Sequence, residues 1–540
     1  MGQKNTSAAQ PPSAVDVLPP VGKTITKFPG TPPAGGIGTV IKIGDAEYQL
    51  EQKLGSGAYG TVYKASSNGR TFAVKIIQSK DTRSVRAEAA AYAASAAMCS
   101  RSQLVPCLVD RQDYENGGSV LVTTLALGVS GAAAFRSPRT DLDTAGFLSF
   151  IKMALQPLVW LHSQRIQSGD VKLENLVVLF DETGVPMQVT AVDFGLSCTA
   201  SSLDSIERDT CHPRFKDPPS YMDPQYNEGI SNMFQVDMYS VGAMLVHLAD
   251  MQKYYTSKEV IAYTKQLARE LMRKTTHLRP TAVQTLVAIQ RASYVTGSII
   301  SVNGINCKVE RYLRLKLKRS VLLVTGDKGE KWVLKLCCTW QDLYRKEAER
   351  EHLILSGPLA KPGPALISAA LSTSIAEIAL LEERIGNDGY NLEQYLDSRT
   401  DSRLKSVEQA TVNLALASAL CAVHAEPGRA AALNLKLTNF VLVKGEHPLK
   451  LVFVDYAEGC SVSMQRDSPQ LCPEDAKFNI FDTDVGKLAD LINSFRAVGD
   501  KSIDNFILRM KHKHLFIRPT MRQTEEEFAA RLKAAQSQSV

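Results

Sequence analysis

The sequence predicts an α+β chain built from two homologous domains in tandem. Two observations carry that expectation. One is an internal repeat that keeps its order from end to end. The other is a glycine-rich hairpin, placed between strands and followed by a helical stretch, at the start of the first copy. At 540 residues the chain has room for two to four domains of about 100–200 residues each. With 44% hydrophobic and 22% charged residues, it has ordinary globular composition. Collagen-like, low-complexity and disulfide-miniprotein classes are thereby excluded. The 62 basic and 56 acidic side chains leave a net charge of +6, too small an excess to indicate nucleic acid as a partner.

The ten cysteines include no C-x-x-C pair, and adjacent Cys337-Cys338 is poor spacing for zinc. This usage predicts free thiols in a reducing, cytoplasmic compartment. The first thirty residues lack the apolar core of a signal peptide. No apolar run is expected to reach the roughly 18 residues of a membrane helix.

Residues 1–36 hold seven prolines (Pro11, Pro12, Pro19, Pro20, Pro29, Pro32 and Pro33) and few large apolar groups. Such a segment buries too little surface to offset its ordering entropy and is expected to be a disordered leader. It opens Met1-Gly2-Gln3-Lys4-Asn5-Thr6, which fits the M-G-x-x-x-[ST] pattern of N-myristoylation at Gly2. A single myristoyl chain gives only marginal binding, about 10⁴ M⁻¹, so the association expected of an acylated chain is reversible.

The repeat begins at Ile43-Gly44-x-x-x-Tyr48-x-Leu50-Glu51-x-x-Leu54, answered by Val302-Asn303-x-x-x-Cys307-x-Val309-Glu310-x-x-Leu313. Val74-Lys75 is answered by Leu334-Lys335, and Leu173-Glu174-Asn175 by Leu437-Thr438-Asn439. Ala191-Val192-Asp193-Phe194-Gly195 faces Phe453-Val454-Asp455-Tyr456-Ala457, and Arg279-Pro280-Thr281 faces Arg518-Pro519-Thr520. The period is too long for a solenoid and predicts whole domains. They are expected at 37–298 and 299–530, with a tail at 531–540.

In the first copy, Leu54-Gly55-Ser56-Gly57-Ala58-Tyr59-Gly60-Thr61-Val62 follows an alternating stretch and precedes Phe72-Ala73-Val74-Lys75 on the next strand. G-x-G-x-x-G alone also marks dinucleotide sites, but there a helix follows rather than a strand. Glycines let backbone N–H groups approach phosphate oxygens closely, and a lysine on the adjacent strand adds a point charge. The helical stretch Val85–Met98 offers one acid to hold Lys75, Glu88. Glu347 stands twelve positions after Lys335, against thirteen from Lys75 to Glu88, and is the expected counterpart. Further on come Leu161-His162 through Ser168-Gly169-Asp170-Val171-Lys172-Leu173-Glu174-Asn175, then Asp193-Phe194-Gly195, Tyr221-Met222-Asp223-Pro224-Gln225 and Asp237-Met238-Tyr239-Ser240-Val241-Gly242.

In that order these motifs resemble the eukaryotic-type protein kinases over about residues 45–295. The resemblance implies two bilobal domains, each with a β-rich N-lobe and a helical C-lobe. It implies ATP and Mg²⁺ as cofactors, with Gly55, Gly57, Gly60, Val62, Lys75 and Glu88 at the nucleotide and Asn175 and Asp193 on the metal. Asp170 would accept the substrate hydroxyl proton, and Lys172 would neutralise the transferred phosphoryl group. Lys172 also points to serine/threonine specificity. The sequence departs from the family at Ser168 (for His) and Gly169 (for Arg), which makes control by loop phosphorylation less expected and leaves the packing beneath Phe194 unassigned. The hydroxyls Ser197, Thr199, Ser201, Ser202, Ser205 and Thr210 lie where an activation loop would run. Gln225 stands where the acid that pairs with Arg279 is usual. The short Lys75–Glu88 spacing and Leu125-Ala126-Leu127-Gly128 resemble casein-kinase-one-like kinases, and the Gly-Asp loop resembles rhoptry-type kinases.

The second copy resembles a pseudokinase. Its glycine positions align with Arg314, Lys316 and Arg319, and the base aligns with Asn434, whose amide takes no proton at neutral pH. Lys335, Glu347, Asn439 and Asp455 remain. Two readings of Lys335 and Asp455 stay open: residual nucleotide binding, or remnants of the fold. Arg311, Arg314, Lys316, Lys318 and Arg319 would form a solvated face, a protected sheet edge, or a surface for an acidic partner or lipid headgroups. The function expected is a protein serine/threonine kinase whose second domain contacts the first and regulates it or docks substrate. The alternative is a non-catalytic scaffold.

Overall fold

The computed structural model describes residues 27–540 apart from 58–59, 79–81, 96–102, 116, 137–140, 200–218, 227–233, 341, 357–365, 372–376, 384–390, 399–405, 425–429, 433–434, 444–448, 456–459, 462–479, 496–500, 513–517 and 539–540. The myristoylation motif at Gly2, the loop hydroxyls Ser201, Ser202, Ser205 and Thr210, and both Asn434 and Ala457 lie outside the described residues. The chain divides into two compact units, Met1–Ser293 and Tyr294–Val540.

The first unit opens with a six-stranded antiparallel sheet of β1 (Val40–Ile43), β2 (Ala46–Gly57), β3 (Gly60–Ser67), β4 (Arg70–Ile77), β5 (Leu108–Asp113) and β6 (Ser119–Thr124). The spatial order is β1-β2-β3-β4-β6-β5. Period-two alternation makes these strands. Ile41, Ile43, Tyr48 and Leu50 point inward with Ala65, Val74, Ile76, Val120 and Val122 to form one apolar layer. The helix α1 (Thr82–Ser95) covers the sheet through Val85 and Ala89, which pack on Ile77 and Leu121.

The disorder expected of the leader does not extend to its last residues. Phe28 pairs with Asp113 and Glu115 through backbone hydrogen bonds of 2.9 Å at each end. A Cβ on Gly35 would meet the Tyr63 ring at 2.8 Å, so this segment runs tight against the sheet. The backbone pairing supplies the ordering that side-chain hydrophobicity could not.

The helical half of the first unit carries α2 (Gly131–Ala134), α3 (Thr144–Ser163), α4 (Phe234–Met251), α5 (Lys258–Leu271) and α6 (Ala282–Ala292), with short strands β7 (Val129–Ser130), β8 (Ile166–Gln167), β9 (Leu176–Phe180), β10 (Pro186–Ala191) and β11 (Cys198–Thr199). Against the sequence expectation, α3 is long and apolar enough to cross a membrane by length and composition. It is the central helix of a packed core instead, burying Phe147, Phe150, Ile151, Leu155, Leu158 and Leu161. The thiol expectation also needs amendment, because Cys107 is disulfide-bonded, whereas Cys307 and Cys421 are free.

Asp237, inside α4, ties this half to the loop before Asp170. Its Oδ2 accepts from Ser168 N and its Oδ1 from Gly169 N, both at 2.8 Å, and His162 Nε2 lies 3.0 Å from Oδ2. Arg279 does not lose its acid. The guanidinium pairs with Asp223, two residues before the expected position, and donates to Gln235 O at 2.8 Å. Both partners of the pair are 1% exposed at the side chain, so the charge is fully compensated within the core. The acid expected at position 225 is thus supplied from position 223, and only the fold shows that this carboxylate reaches the guanidinium.

The second unit begins with β12 (Ile299–Val302), β13 (Ile305–Arg314), β14 (Arg319–Thr325), β15 (Lys331–Cys338), β16 (Leu366–Leu371) and β17 (Glu377–Glu383). Their order, β12-β13-β14-β15-β17-β16, repeats that of the first sheet. The irregularities repeat too. The first sheet has bulges at Leu50/Gln52 and Lys53/Gly55, and the second at Val309/Arg311 and Tyr312/Arg314. Bulges redirect a strand, so their recurrence shows a shared curvature.

The helices are α7 (Asp342–Ser356), α8 (Leu392–Asp397), α9 (Ser406–His424), α10 (Ile480–Phe495), α11 (Lys501–Met510) and α12 (Met521–Gln538), with strands β18 (Ala430–Ala431), β19 (Phe440–Leu442), β20 (Leu451–Phe453) and β21 (Cys460–Ser461). Asp484 in α10 takes His424 Nε2 at 2.8 Å and Ala432 N at 2.7 Å. Arg518 donates to His512 O at 2.7 Å, as Arg279 does to Arg273 O at 2.7 Å. The expected tail at 531–540 is helical through Gln538, because α12 buries Phe528 and Leu532.

Removing one partner of a buried ion pair costs about 3–5 kcal/mol, since the other charge is left uncompensated. Arg279→Ala should therefore lower hydrogen-exchange protection of helix Phe234–Met251 by that amount. Unchanged protection there would refute the tie through Asp223 and Gln235.

Candidate active site

The strands β2 and β3 meet at a hairpin in which Gly57 pairs with Gly60. Gly60 has φ of +145°, and a Cβ there would meet Ile76 O at 2.5 Å, so the backbone needs glycine at this point. Around Gly55 and Gly57 nothing lies within 4 Å of an added Cβ. Val62 sits opposite Lys75 across β3 and β4. The hairpin therefore leaves open space at Gly55 and Gly57, two strands away from Lys75 in the same sheet.

Lys75 brings the sequence-selected acids together. Its Nζ lies 2.8 and 2.7 Å from the Glu88 carboxylate oxygens and 2.8 Å from Asp193 Oδ1. Burial would lower the ammonium's pKa, but Glu88 and Asp193 outweigh it and hold Lys75 above its ordinary value. Burial pushes Glu88 up to about 6 against the pull of Lys75. Burial also acts upward on Asp193, yet Lys75 and the Gly195 backbone N–H keep its carboxyl below the usual range. Asp193 has φ of +62°, a left-handed backbone that few non-glycine residues adopt. Such strain concentrates at working sites.

The packing under Phe194, unassigned by Ser168, comes from elsewhere. The Phe194 ring meets Tyr92 of α1 edge to face at 5.2 Å and 80°, and Tyr92 hydrogen-bonds Glu88. One aromatic contact thus couples the position of Asp193 to the helix that carries the lysine's partner.

Asp170 follows Gly169, which has φ of +79° and whose added Cβ would lie 2.2 Å from Leu196 O. An arginine at that position would not fit this backbone. The Asp170 Oδ2 accepts from Lys172 Nζ at 2.6 Å and from Asn175 Nδ2 at 2.9 Å. Asn175 Nδ2 also donates to Asp170 O at 2.9 Å. Its amide hydrogens are committed to Asp170, which leaves the Asn175 Oδ1 as the atom for a cation. With the Asp193 carboxylate this is a donor set of hard oxygens, the chemistry that suits Mg²⁺.

Tyr221 joins the candidate site without having been among the residues expected there. Its hydroxyl donates to Asp170 Oδ1 at 2.7 Å, and Lys172 Nζ approaches the same hydroxyl at 3.4 Å. Burial and the Asp170 charge push the phenol up to about 12. The signal was present as the tyrosine of Y-x-D-P-Q, but only folding brings it to a residue 51 positions away. Next to Tyr221 a cavity of about 300 Å³ is lined by Phe135, Lys172, Glu174, Ser220, Met244 and His247, among others.

The protein kinase domain family matches residues 48–315. The serine/threonine-protein kinase pakF of Dictyostelium discoideum is 30% identical over 210 residues, covering 38% of this chain and 17% of that protein. The serine/threonine-protein kinase PLK4 of Drosophila grimshawi is 24% identical over 282 residues, 47% of this chain and 35% of that protein. Death-associated protein kinase 2 of Mus musculus is 23% identical over 311 residues, 52% of this chain and 81% of that protein. The matches span about a sixth and a third of the first two relatives. Through this stretch the chain belongs to the eukaryotic-type protein kinase superfamily, a family that in general uses ATP and Mg²⁺. The relatives carry three different names, and no subfamily follows.

In the second unit the expected partner of Lys335 was wrong. Glu347 pairs with Lys318 at 2.5 Å. Lys335 pairs with Glu351 at 2.7 Å and with Glu382 at 2.8 Å. Glu347 and Glu351 are one helical turn apart on one face of α7, and counting residues could not choose between them. The five cations also do not share one face. Arg311, Arg314 and Lys316 are exposed, but Arg319 turns inward.

The raised pKa of Glu88 has a defined consequence for stability. Relative to an unfolded value of 4.5, a folded value near 6 means the folded chain holds its proton longer. The stability this contributes is fully present below pH 4.5 and is lost as pH rises through 6, on the order of 2 kcal/mol in all. Glu88→Gln should flatten that segment of the stability–pH profile measured by denaturant unfolding. An unaltered slope between pH 4.5 and 6 would exclude the assignment.

Proposed function

We propose that the first unit is an ATP-dependent protein serine/threonine kinase and that the second unit is an altered copy, a pseudokinase, serving as its regulator or docking module. The observation that carries the enzyme reading is the joining of Lys75, Glu88 and Asp193 at 2.7–2.8 Å, with Asp170, Lys172 and Asn175 forming a second linked group. In this reading Lys75 binds the α/β-phosphates beneath the glycine hairpin. Asp193 and Asn175 are the residues that would hold Mg²⁺, and the ion would supply charge neutralisation at the phosphates. Asp170 Oδ1 takes the proton from the acceptor hydroxyl, and Lys172 steadies Oδ2 and the transferred group. The names of the relatives support a serine or threonine acceptor. The shared strand order, shared bulges and paired aspartate clasps Asp237 and Asp484 support the second unit as a copy of the first.

The scaffold alternative rests on Ser168, Gly169 and Gln225. Asp223 in place of the missing acid and the well-held Asp170 weigh against it. With the full chain, magnesium and labelled ATP, phosphate transfer to a generic protein substrate should fall by at least a hundredfold in Asp170→Asn and in Lys75→Met. Full activity in either variant would exclude the assignment, and an inactive wild type would favour the scaffold.

Tyr221 occupies the place at Asp170 Oδ1 that an acceptor hydroxyl needs, so it must move aside during turnover. Tyr221→Phe removes the competing donor and should lower the KM for protein substrate several-fold with kcat preserved. A collapse of kcat would show instead that the phenol positions Asp170.

A further inference from the structure

In the second unit two substitutions lie on the strands that flank the lysine strand, and each brings a charge. In the first unit Val62 pairs with Lys75, and in the second Val321 pairs with Lys335. Two residues before the valine stand Gly60 and Arg319, so the arginine takes the register position of the third hairpin glycine. On the other side of the lysine, Lys75 pairs with Leu121 and Lys335 with Leu380. Two residues further stand Thr123 and Glu382. The second unit has thus replaced a glycine by a cation and a threonine by an anion.

The new charges rearrange the lysine's contacts. In the first unit Lys75 bridges Glu88 and Asp193, and the Asp193 side chain stays 41% exposed. In the second, the Arg319 guanidinium takes Asp455 Oδ1 at 2.8 Å and Glu351 Oε2 at 3.1 Å. Lys335 is left with Glu351 Oε1 at 2.7 Å, Glu382 Oε2 at 2.8 Å and Val454 O at 2.8 Å. An ammonium has three hydrogens to donate, and these three acceptors use them all. The Glu351 and Glu382 side chains are 0% and 2% exposed. Buried charges of this kind persist only when each meets an opposite charge and further hydrogen bonds.

The residues of the second unit therefore do not fit magnesium nucleotide. Asp455, the counterpart of Asp193, pairs with a guanidinium rather than with the sheet lysine, and its side chain is 20% exposed against 41% for Asp193. We propose that Arg319 is a built-in replacement for the metal: its guanidinium ties Glu351 on helix α7 to Asp455 after β20, closing the second unit's cleft without nucleotide or divalent ion. This inference rests on reading the second unit as an altered copy of the first, and it answers the question left open for Lys335 and Asp455 in favour of a structural role. The guanidinium suits the task because it presents several fixed donors and stays charged when buried. Burial opposes its charge, but Glu351 and Asp455 hold Arg319 well above its ordinary pKa. Burial pushes Glu382 above its ordinary pKa against the pull of Lys335, with the neighbouring Glu351 acting in the same upward direction.

The test uses the full chain and a lysine-reactive acyl-phosphate derivative of ATP with magnesium, read by mass spectrometry of the labelled peptides. Labelling at Lys75, competed by ATP, and none at Lys335 is the expected result. Competed labelling at Lys335 would overturn the proposal. Failure at Lys75 would count against the enzyme reading alone, because each lysine is read separately. Hydrogen exchange supplies the second arm. Arg319→Gln should lower protection at least tenfold in Arg319–Thr325, in Asp342–Ser356 and in Leu451–Phe453 together, with partial rescue by Arg319→Lys. Loss confined to the strand that carries the substitution would refute the tie. Wild-type protection in Leu451–Phe453 should be indifferent to magnesium and ATP. A rise on adding them would also overturn the proposal, and this measurement needs no variant to fold.

Discussion

A lysine on the central strand of each sheet must have carboxylates around it, and much else in each unit follows from that requirement. An ammonium beneath a β-sheet is costly unless paired. In the first unit the acids come from helix α1 and from the turn after β10, so Lys75 holds a strand, a helix and a loop in one arrangement. Tyr92 and Phe194 reinforce it, since their ring contact joins the helix and the loop directly. In the second unit the same lysine is surrounded by two glutamates and a backbone carbonyl. Its loop aspartate has passed to Arg319. The two units solve one electrostatic problem in two ways, and the loop carboxylate is the more exposed in the first.

The helical halves depend on a second recurring constraint. A single buried aspartate, Asp237 or Asp484, collects a histidine nitrogen and a backbone N–H from the segment ahead of the central loop. Because the contact is to backbone, it holds Asp170 in place without any side chain from Ser168. Gly169 is not free in the same way, since its positive φ and the nearby Leu196 O exclude a side chain there. The Arg279–Asp223 pair works in the same spirit. The guanidinium needs a buried carboxylate, and it accepts one from a neighbouring position of the segment when Gln225 cannot supply it.

Much of the candidate site was legible in the sequence because kinase motifs are short, ordered and made of residues in fixed local relation. Gly55, Gly57 and Gly60 lie on one hairpin. Asp170, Lys172 and Asn175 lie within one turn-rich loop, and Asp193 follows one strand. Errors arose where a contact depended on reach between distant segments. Glu347 was preferred to Glu351 because a residue count tolerates a helical turn either way. Arg319 was grouped with exposed cations because alternation along a strand breaks down at a hairpin end. Tyr221 went unselected because no local pattern says which side chain a distant aspartate will meet. The ordered end of the leader, around Phe28, was missed because backbone pairing leaves no compositional trace.

By itself the sequence determined that the first unit carries the kinase motifs in order and that Arg314, Lys316 and Arg319 crowd the strand junction of the second. These are matters of residue type and spacing, which chain order preserves. Tertiary structure alone decided which charges meet. It gave Lys335 to Glu351 and Glu382, gave Asp455 to Arg319, and set Tyr221 against Asp170. The physical reason is range. Spacing rules act over a turn or a strand, whereas an ion pair in a buried site is chosen by distances of about 3 Å between segments far apart in the chain.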